Sequence, residues 1–237
     1  MSSPKLKWVA GAALVLAALS TNARAASRRA SSEEQALVDA AQATFVHFRD
    51  DLDMTGFREH ERGARAVLII PRAVRAGLII GGSGGPGVVI AKRAGAWSDP
   101  SFYTLGTASF GLQVGVDVSE IVVFVMTPRG LNALLSPSVK AGMDASIAAG
   151  PVGIGAGRAP KPDTDFVYYS RSKGFYGGLS LEGAVIRPDE ESNRAYYGQF
   201  ASPREILVRG SFHNRDYRRL IETVSAPRIA RGTVRVY

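Results

Sequence analysis

One segment of the chain has glycines and a serine at a spacing that is found in nucleotide-binding and catalytic loops. It reads Gly81-Gly82-Ser83-Gly84-Gly85-Pro86-Gly87. The spacing fits both a dinucleotide-binding loop and a G-x-S-x-G nucleophile motif centred on Ser83. Both motifs need a helix directly after the glycines, but Val88-Val89-Ile90 is typical of a strand. We therefore predict a structural turn between two strands, built from Gly81, Gly82, Gly84, Gly85 and Gly87.

A serine esterase centred on Ser83 is a remote alternative. His213 could act as its base, with Asp144, Asp163 or Asp165 orienting the imidazole. The remaining carboxylates are isolated or clustered on a charged turn, and they suggest no second catalytic set. We predict that the protein is not an enzyme, with no catalytic residues and no cofactor.

Metal-binding residue types are sparse in this chain. There is no cysteine, and the three histidines, His47, His60 and His213, include no pair at a metal-ligand spacing. We predict no metal site and expect the histidines to be solvated surface residues. The lack of cysteine also excludes disulfides, so the core must stabilise the fold.

Basic and aromatic side chains lie close to the glycine-rich segments. Cations beside interfacial aromatic rings suit the headgroups of anionic lipids. Any single arginine is better explained as part of a solvated surface, so only the grouping indicates a site. The candidate lipid-binding residues are Arg72, Arg75, Lys92, Arg93, Trp97, Arg171 and Lys173.

Residues 1–25 are predicted to be a secretory signal peptide. A basic start precedes the apolar run from Trp8 to Leu19, and Ala23-Arg24-Ala25 fits the small-x-small cleavage pattern. The run is too short to span a bilayer as a helix, which disfavours an uncleaved anchor. Cleavage leaves 26 basic and 21 acidic residues, a net charge of +5. We expect a periplasmic or envelope location, where anionic lipids are more plausible partners than nucleic acid.

The apolar pattern along residues 26–237 predicts one α+β domain. Runs of strands with helices at the two ends favour a mainly antiparallel curved sheet or small barrel on which those helices pack. The predicted helices run from Ser32 to Arg49, from Thr55 to Gly63, from Pro128 to Leu135 and from Asn214 to Val224. The clearest strands are Val67–Ile70, ended by Pro71, and Ile121–Met126, while Pro188–Arg194 is a charged segment without a predicted element.

Several ordered motifs between residues 33 and 205 resemble the SYLF domain, a lipid-binding module of eukaryotic actin-patch proteins and of bacterial exported proteins. The most typical stretch is Tyr169 to Gly174 followed by Gly178 to Gly183. Further motifs are Ala66–Pro71, Trp97–Phe102, Gly111–Gly115, Gly142–Gly153 and Tyr196–Gly198. The resemblance implies binding of phosphoinositides or other anionic phospholipids, actin association in some eukaryotic members, and no enzymatic activity.

The leading hypothesis is therefore a non-enzymatic envelope protein that binds anionic phospholipid headgroups. A structural or protein-interaction module, which would bind an envelope protein through the apolar face of its first helix, is the alternative.

Overall fold

A long, strongly curled sheet forms the centre of the fold in this computed structural model. The structure describes residues 31–54, 56–77, 80–110, 115–152, 160–172, 175–176, 180–213 and 218–225. The predicted signal peptide, Lys173 and most of the glycine-rich loop after Gly150 lie outside these ranges. The predicted α+β class, with a mainly antiparallel curved sheet and packed helices, is confirmed.

Ten strands lie within the described residues. They are β1 (Ala66–Gly77), β2 (Ile80–Arg93), β3 (Ala96–Trp97), β4 (Ser101–Phe110), β5 (Gly115–Val125), β6 (Val139–Lys140), β7 (Ile147–Ala149), β8 (Phe166–Ser172), β9 (Phe175–Tyr176) and β10 (Val185–Pro188). The main path runs β6-β10-β4-β2-β1-β5-β8-β7, with β3 beside β2 and β9 beside β8. Neighbouring strands are antiparallel except β7 and β8.

Strand β1 does not end at Pro71 as predicted. It continues to Gly77, and its pairing shifts by one residue against both neighbours between Ile69 and Val74. Such a bulge accommodates proline, which has no N–H to donate to a neighbouring strand. The strand therefore continues through Pro71, although a proline usually indicates the end of a strand.

The glycine-rich segment is not the predicted turn. Gly81 to Gly87 lie inside β2, which is paired with β1 on one side and β4 on the other. None of these glycines has a positive φ; their role is close backbone approach. A Cβ on Gly85 would collide with the Arg72 carbonyl oxygen, and one on Gly84 with the Leu105 carbonyl oxygen. The glycines therefore let the bulge of β1 and the strand β4 lie against β2.

Replacing Gly85 with alanine is expected to destabilise the protein by about 2 kcal/mol, because the added methyl group displaces the Arg72 backbone. The matched control is Gly106→Ala on β4, where a Cβ meets nothing within 4 Å. Urea unfolding followed by circular dichroism measures both. Equal unfolding midpoints for the two variants would refute the close-approach explanation.

Helices cover both faces of the sheet. Residues 31–50 are helical (α1), followed by α2 (Phe57–Gly63), α3 (Pro128–Leu134), α4 (Glu190–Tyr197), a π-helical turn (Arg204–Arg209) and α5 (Arg218–Ser225). The first, second, third and last predicted helices are confirmed in position, apart from their ends. Ser32 lies within α1 and so does not cap it. The charged segment from Pro188 is not irregular as predicted, because Asp189 caps α4 by accepting a hydrogen bond from Ser192 N.

The two faces are named here by their helices. On the α1 face, side chains of α1, α2, α4 and α5 pack on Val67, Ile69, Ile90, Val122 and Phe124. On the α3 face, α3 and the π-helical turn pack on Leu68, Ile70, Val89, Val123 and Phe166. The apolar face of α1, which includes the buried Phe45 and Phe48, is therefore covered by the sheet of the same chain. This face is therefore not available to bind another protein, which the protein-interaction alternative requires.

Asp165 ties α3 to the sheet. It is fully buried and accepts hydrogen bonds from Arg129 Nε and Nη2, from Thr127 Oγ1, and from Ser146 N and Oγ. Thr127 also caps α3 by accepting a hydrogen bond from Gly130 N. Burial raises the pKa of Asp165, but the donors from Arg129, Thr127 and Ser146 outweigh it and hold that pKa at about 2.

Candidate functional site

Four basic residues and a tryptophan lie at one end of the sheet. Arg65 N donates to Val125 O at 2.8 Å, and Lys92 N donates to Arg65 O at 2.7 Å, so the end of α2 is joined to β2 and β5. Arg62, Arg65 and Lys92 are exposed, while Arg93 and Trp97 are half-buried. We call this set, Arg62, Arg65, Lys92, Arg93 and Trp97, the basic rim.

Lys92 and Trp97 face each other across the β2–β3 pair. The Lys92 ammonium lies 5.0 Å from the centre of the Trp97 ring and donates to Arg62 O, at the end of α2, at 2.8 Å. A cation at a helix C-terminus and over an indole face is favourably placed. Burial lowers the pKa of Lys92, and the Glu61 carboxylate partly opposes this effect. Lys92 therefore both positions the rim and carries part of its charge.

Arg93 follows Lys92 on β2, so its side chain lies on the opposite face of the strand, where it contacts the segment after the π-helical turn. Its guanidinium occupies the space that a Cβ of Gly210 would need, and Gly210 has a positive φ of 65°. The positive φ favours glycine there, and a larger residue would also displace the Arg93 guanidinium. The contact holds Arg93 against the fold and leaves it only half-buried.

Arg171 lies elsewhere and already has a partner. Its Nε donates to Glu120 Oε2 at 3.0 Å, and its Nη2 donates to the same oxygen. Nη2 also lies 3.2 Å from Nδ1 of His47 on α1. Glu120 also accepts from Thr44 of α1 at 3.1 Å. Arg171 therefore anchors α1 to β5 and β8, and this ion pair leaves it poorly suited to bind a headgroup.

The predicted candidates do not form one cluster. Arg75 is ten residues from Arg65 along the chain, so with a strand rise of about 3.3 Å it lies roughly 30 Å from the rim. Arg72 is exposed at the bulge of β1, between the two. Lys173 lies outside the described residues. From the predicted set, the structure places Lys92 against Trp97, with Arg93 adjacent on the other face of β2.

Arg62 and Arg65 were missed by the sequence prediction. Basic residues were sought beside glycines, whereas these two lie at and just beyond the end of α2. The signal available in the sequence is the spacing of Arg58, Arg62 and Arg65, but only the pairing of Arg65 with Lys92 brings the two segments together.

The residues of the remote esterase alternative have other partners. Ser83 lies mid-strand, less than a tenth exposed, with its Oγ 2.6 Å from Thr107 Oγ1. His213 Nδ1 lies 3.1 Å from Asp99 Oδ2, and Asp165 holds α3. The strand-to-helix turn that a nucleophile elbow needs is replaced here by the continuous strand β2.

The histidines are less solvated than predicted. His60 Nδ1 lies 2.8 Å from Gly56 O and 2.9 Å from the hydroxyl of the buried Tyr169, and the ring is half-buried. His47 is exposed but is paired with Glu120. Within the described ranges, no group of three or more His, Cys, Asp or Glu side chains could hold a metal ion.

Comparison with known proteins decides the family. The model of the family described as "Ysc84: Las17-binding protein actin regulator" matches residues 106–227, just over half of the chain. The chain belongs to the Ysc84 family. This assignment confirms the SYLF resemblance. No solved structure matches the chain.

Relatives from the Ysc84 family are about 30% identical to this chain over the aligned residues. Protein YSC84 of Saccharomyces cerevisiae is 32% identical over 146 residues, covering 59% of this chain and 31% of its own length. SH3 domain-containing YSC84-like protein 1 of Homo sapiens is 29% identical over 144 residues, covering 59% of this chain and 42% of its own length. The chain therefore spans less than half of these relatives, whose names describe an SH3 domain or the Ysc84 family and no enzyme.

The part matched by the Ysc84 family model begins at Gly106, within β4. It includes Asp165, Arg171 and α4, and it excludes the whole basic rim. The match to the family model therefore says nothing about the basic rim.

Proposed function

We propose that this Ysc84-family protein binds anionic phospholipid headgroups through the basic rim, as a non-enzymatic protein of the cell envelope. The observation that carries the proposal is the position of Arg62, Arg65, Lys92 and Arg93 at one end of the sheet, where the Lys92 ammonium lies 5.0 Å from the centre of the Trp97 ring. Basic side chains attract anionic lipid, and an indole ring is suited to the membrane–water interface. Phosphoinositides are the headgroups with the highest charge in this class.

Binding is proposed to be peripheral. Among the described residues, no helix is both long and apolar enough to cross a membrane. The exported, periplasmic location is proposed from the leader sequence of residues 1–25. A net charge of +5 after cleavage agrees with an anionic partner.

The double variant Arg62→Gln/Arg65→Gln is expected to weaken binding to anionic vesicles roughly 30-fold. Each basic residue near an anionic surface contributes about 1 kcal/mol, so two contribute about 2 kcal/mol. The full chain, expressed with its leader and purified, is sedimented with anionic or zwitterionic vesicles at low salt. Binding should also weaken as salt is added, because the contacts are electrostatic.

The matched control is Arg187→Gln/Arg194→Gln, which removes the same charge from exposed positions on β10 and α4. It should bind nearly as well as the unaltered chain. If the two double variants lose the same amount of vesicle binding, binding depends on the net charge of the protein and not on the basic rim. Equal binding of the unaltered chain to anionic and zwitterionic vesicles would refute the lipid proposal itself.

Protein interaction is the second candidate function. The family description names Las17 binding, and a relative is named LAS seventeen-binding protein 3. Since the apolar face of α1 is covered, such a partner would have to bind another surface of this chain. Pull-down from an envelope extract tests this candidate.

A further inference from the structure

Two large apolar side chains are exposed in one short segment of the chain. Phe200 lies just before the π-helical turn and is 57% exposed, and Val208 lies within that turn and is 40% exposed. Single exposed apolar residues are common on protein surfaces, whereas apolar residues that are exposed together mark places of contact. The segment therefore points to a partner with apolar character.

The π-helical turn has a buried side and an exposed side. Ile206 and Leu207 are buried in the core of the α3 face, whereas Arg204, Val208 and Arg209 are exposed. The backbone hydrogen bonds of such a turn span five residues, so residues four and five apart lie on the same side. Arg204 therefore shares its side with Val208 and Arg209. We define the exposed turn by four residues: Phe200, Arg204, Val208 and Arg209.

The charges of the exposed turn are positive. Among the described residues, neither Arg204 nor Arg209 forms an ion pair with a carboxylate. Glu205, the acidic residue of the π-helical turn, accepts hydrogen bonds from Ser202 N at 3.1 Å and from Ser202 Oγ at 2.6 Å, and so caps the beginning of the turn. The two arginines can therefore contact an anionic group outside the chain.

The exposed turn lies at the same end of the sheet as the basic rim. Arg93, a residue of the rim, contacts Gly210, which directly follows Arg209. Because side chains alternate along β2, Arg93 is on the face that carries the π-helical turn, and Lys92 is on the other face. The basic rim and the exposed turn can therefore contact the same flat surface.

An anionic lipid bilayer matches both the charge and the apolar character of the exposed turn. Lipid phosphates suit Arg204 and Arg209, and the boundary between headgroups and acyl chains suits Phe200 and Val208. The stem of an arginine can lie on apolar surface while its guanidinium stays at the level of the phosphates. A soluble anion would bind the arginines but would leave both apolar side chains in water.

We propose that the exposed turn inserts into the interface of an anionic bilayer, with Phe200 and Val208 at the acyl boundary and Arg204 and Arg209 at the phosphates. This inference rests on the lipid binding proposed above, and it adds an apolar contact to the electrostatic contact of the basic rim. The insertion is shallow, because the π-helical turn is only six residues long.

Site-specific fluorescence tests the insertion directly. The chain has no cysteine, so Phe200→Cys and Val208→Cys each accept one environment-sensitive fluorophore. The labelled full-length variants are mixed at low salt with vesicles of phosphatidylglycerol or of phosphatidylcholine. Phosphatidylglycerol vesicles should shift the emission of both labels to shorter wavelength, and brominated acyl chains should quench it.

The matched control for the labels is Met143→Cys, at an apolar residue that is 77% exposed between β6 and β7. Strand pairing through β10 and β4 places the nearby Lys140 at the level of Gly84 on β2. Gly84 is nine residues from Arg93, so Met143 is near the other end of the sheet, roughly 30 Å away along β2. Its label should keep the emission that it has in water.

The double variant Phe200→Ser/Val208→Ser should weaken binding to anionic vesicles roughly tenfold, because two apolar side chains no longer enter the membrane. Its thermal midpoint should stay unchanged, since both positions are exposed. The tenfold difference should persist as salt is added, because salt screens the basic rim but not an apolar contact. Met143→Ser is the control and should bind as the unaltered chain does.

The outcomes separate insertion from lipid binding itself. If the chain sediments with anionic vesicles while the labels at residues 200 and 208 stay in water, insertion is wrong and binding by the basic rim stands. A protein partner would then be the explanation for the exposed turn. An unchanged affinity of the serine double variant would overturn insertion in the same way. If the unaltered chain does not sediment with anionic vesicles, both proposals are wrong.

Discussion

Asn193→Asp should lower the unfolding free energy by about 4 kcal/mol, although the two side chains have nearly the same shape. Asn193 of α4 is completely buried. Its Oδ1 accepts from Phe102 N at 3.0 Å and Ser101 Oγ at 3.1 Å, and its Nδ2 donates to Phe102 O at 3.1 Å and Asp189 O at 2.7 Å. The side-chain amide thus makes hydrogen bonds to the backbone of β4 of the kind that a neighbouring strand would make. An aspartate keeps the two acceptor contacts but turns a buried charge toward two carbonyl oxygens.

Thermal unfolding followed by circular dichroism measures the effect, which corresponds to a fall of roughly 10 °C in the midpoint. Asn132→Asp is the matched control, because Asn132 is exposed on α3 and should change stability by less than about 0.5 kcal/mol. Asn193→Ala should also destabilise strongly, since Phe102 N loses its acceptor and Phe102 O keeps only the hydrogen bond from Asp189 N. If Asn193→Asp unfolds at the same temperature as Asn132→Asp, the side chain does not support β4 as described.

Asp165→Ala should destabilise the protein by about 3 kcal/mol, the second-largest effect expected. Thr127 and Ser146 lose their common acceptor, and a cavity is left beside α3. Asp163→Ala is the control, because that carboxylate is exposed two residues away. Urea unfolding at neutral pH compares the two variants, and a loss below about 1 kcal/mol for Asp165→Ala would contradict the role of Asp165.

The same residue gives a defined acid dependence. The folded-state pKa of Asp165 is about 2, below its ordinary value of 3.8, so its contribution is fully present above pH 3.8. That contribution is lost as the pH falls from 3.8 toward 2. The unaltered chain should therefore lose more stability over this interval than Asp165→Ala does.

Local signals in the sequence were sufficient to predict many of the helices and strands. The apolar run of β5, the Thr127 cap with Pro128, and the three- and four-residue spacing in α1 each predicted an element that the structure contains. Helix α4 was missed because its polar composition hides two buried side chains, Asn193 and Tyr196. Both are buried by contacts with distant residues, which local periodicity does not report.

The site could be predicted only in part for the same physical reason. A basic residue beside glycines looks the same in sequence whether it faces solvent or a carboxylate. Arg171 is distinguished from Lys92 only by Glu120, which is 51 residues away in the chain and opposite it on the neighbouring strand. Similarly, the role of Gly85 depends on the bulge at Pro71, which is created by pairing with two other strands.

The order of strands also bears on how the chain can fold. Strands β6 and β7 are at opposite ends of the sheet path, yet only residues 141–146 separate them, and Ala141 bridges to Ala145. Their partners β10 and β8 come later in the chain, so neither end of the path is complete until the C-terminal half has been synthesised. Contacts this distant in sequence raise the contact order and slow folding. For a protein proposed to be exported, slow folding prolongs the interval in which an unfolded chain can still be translocated.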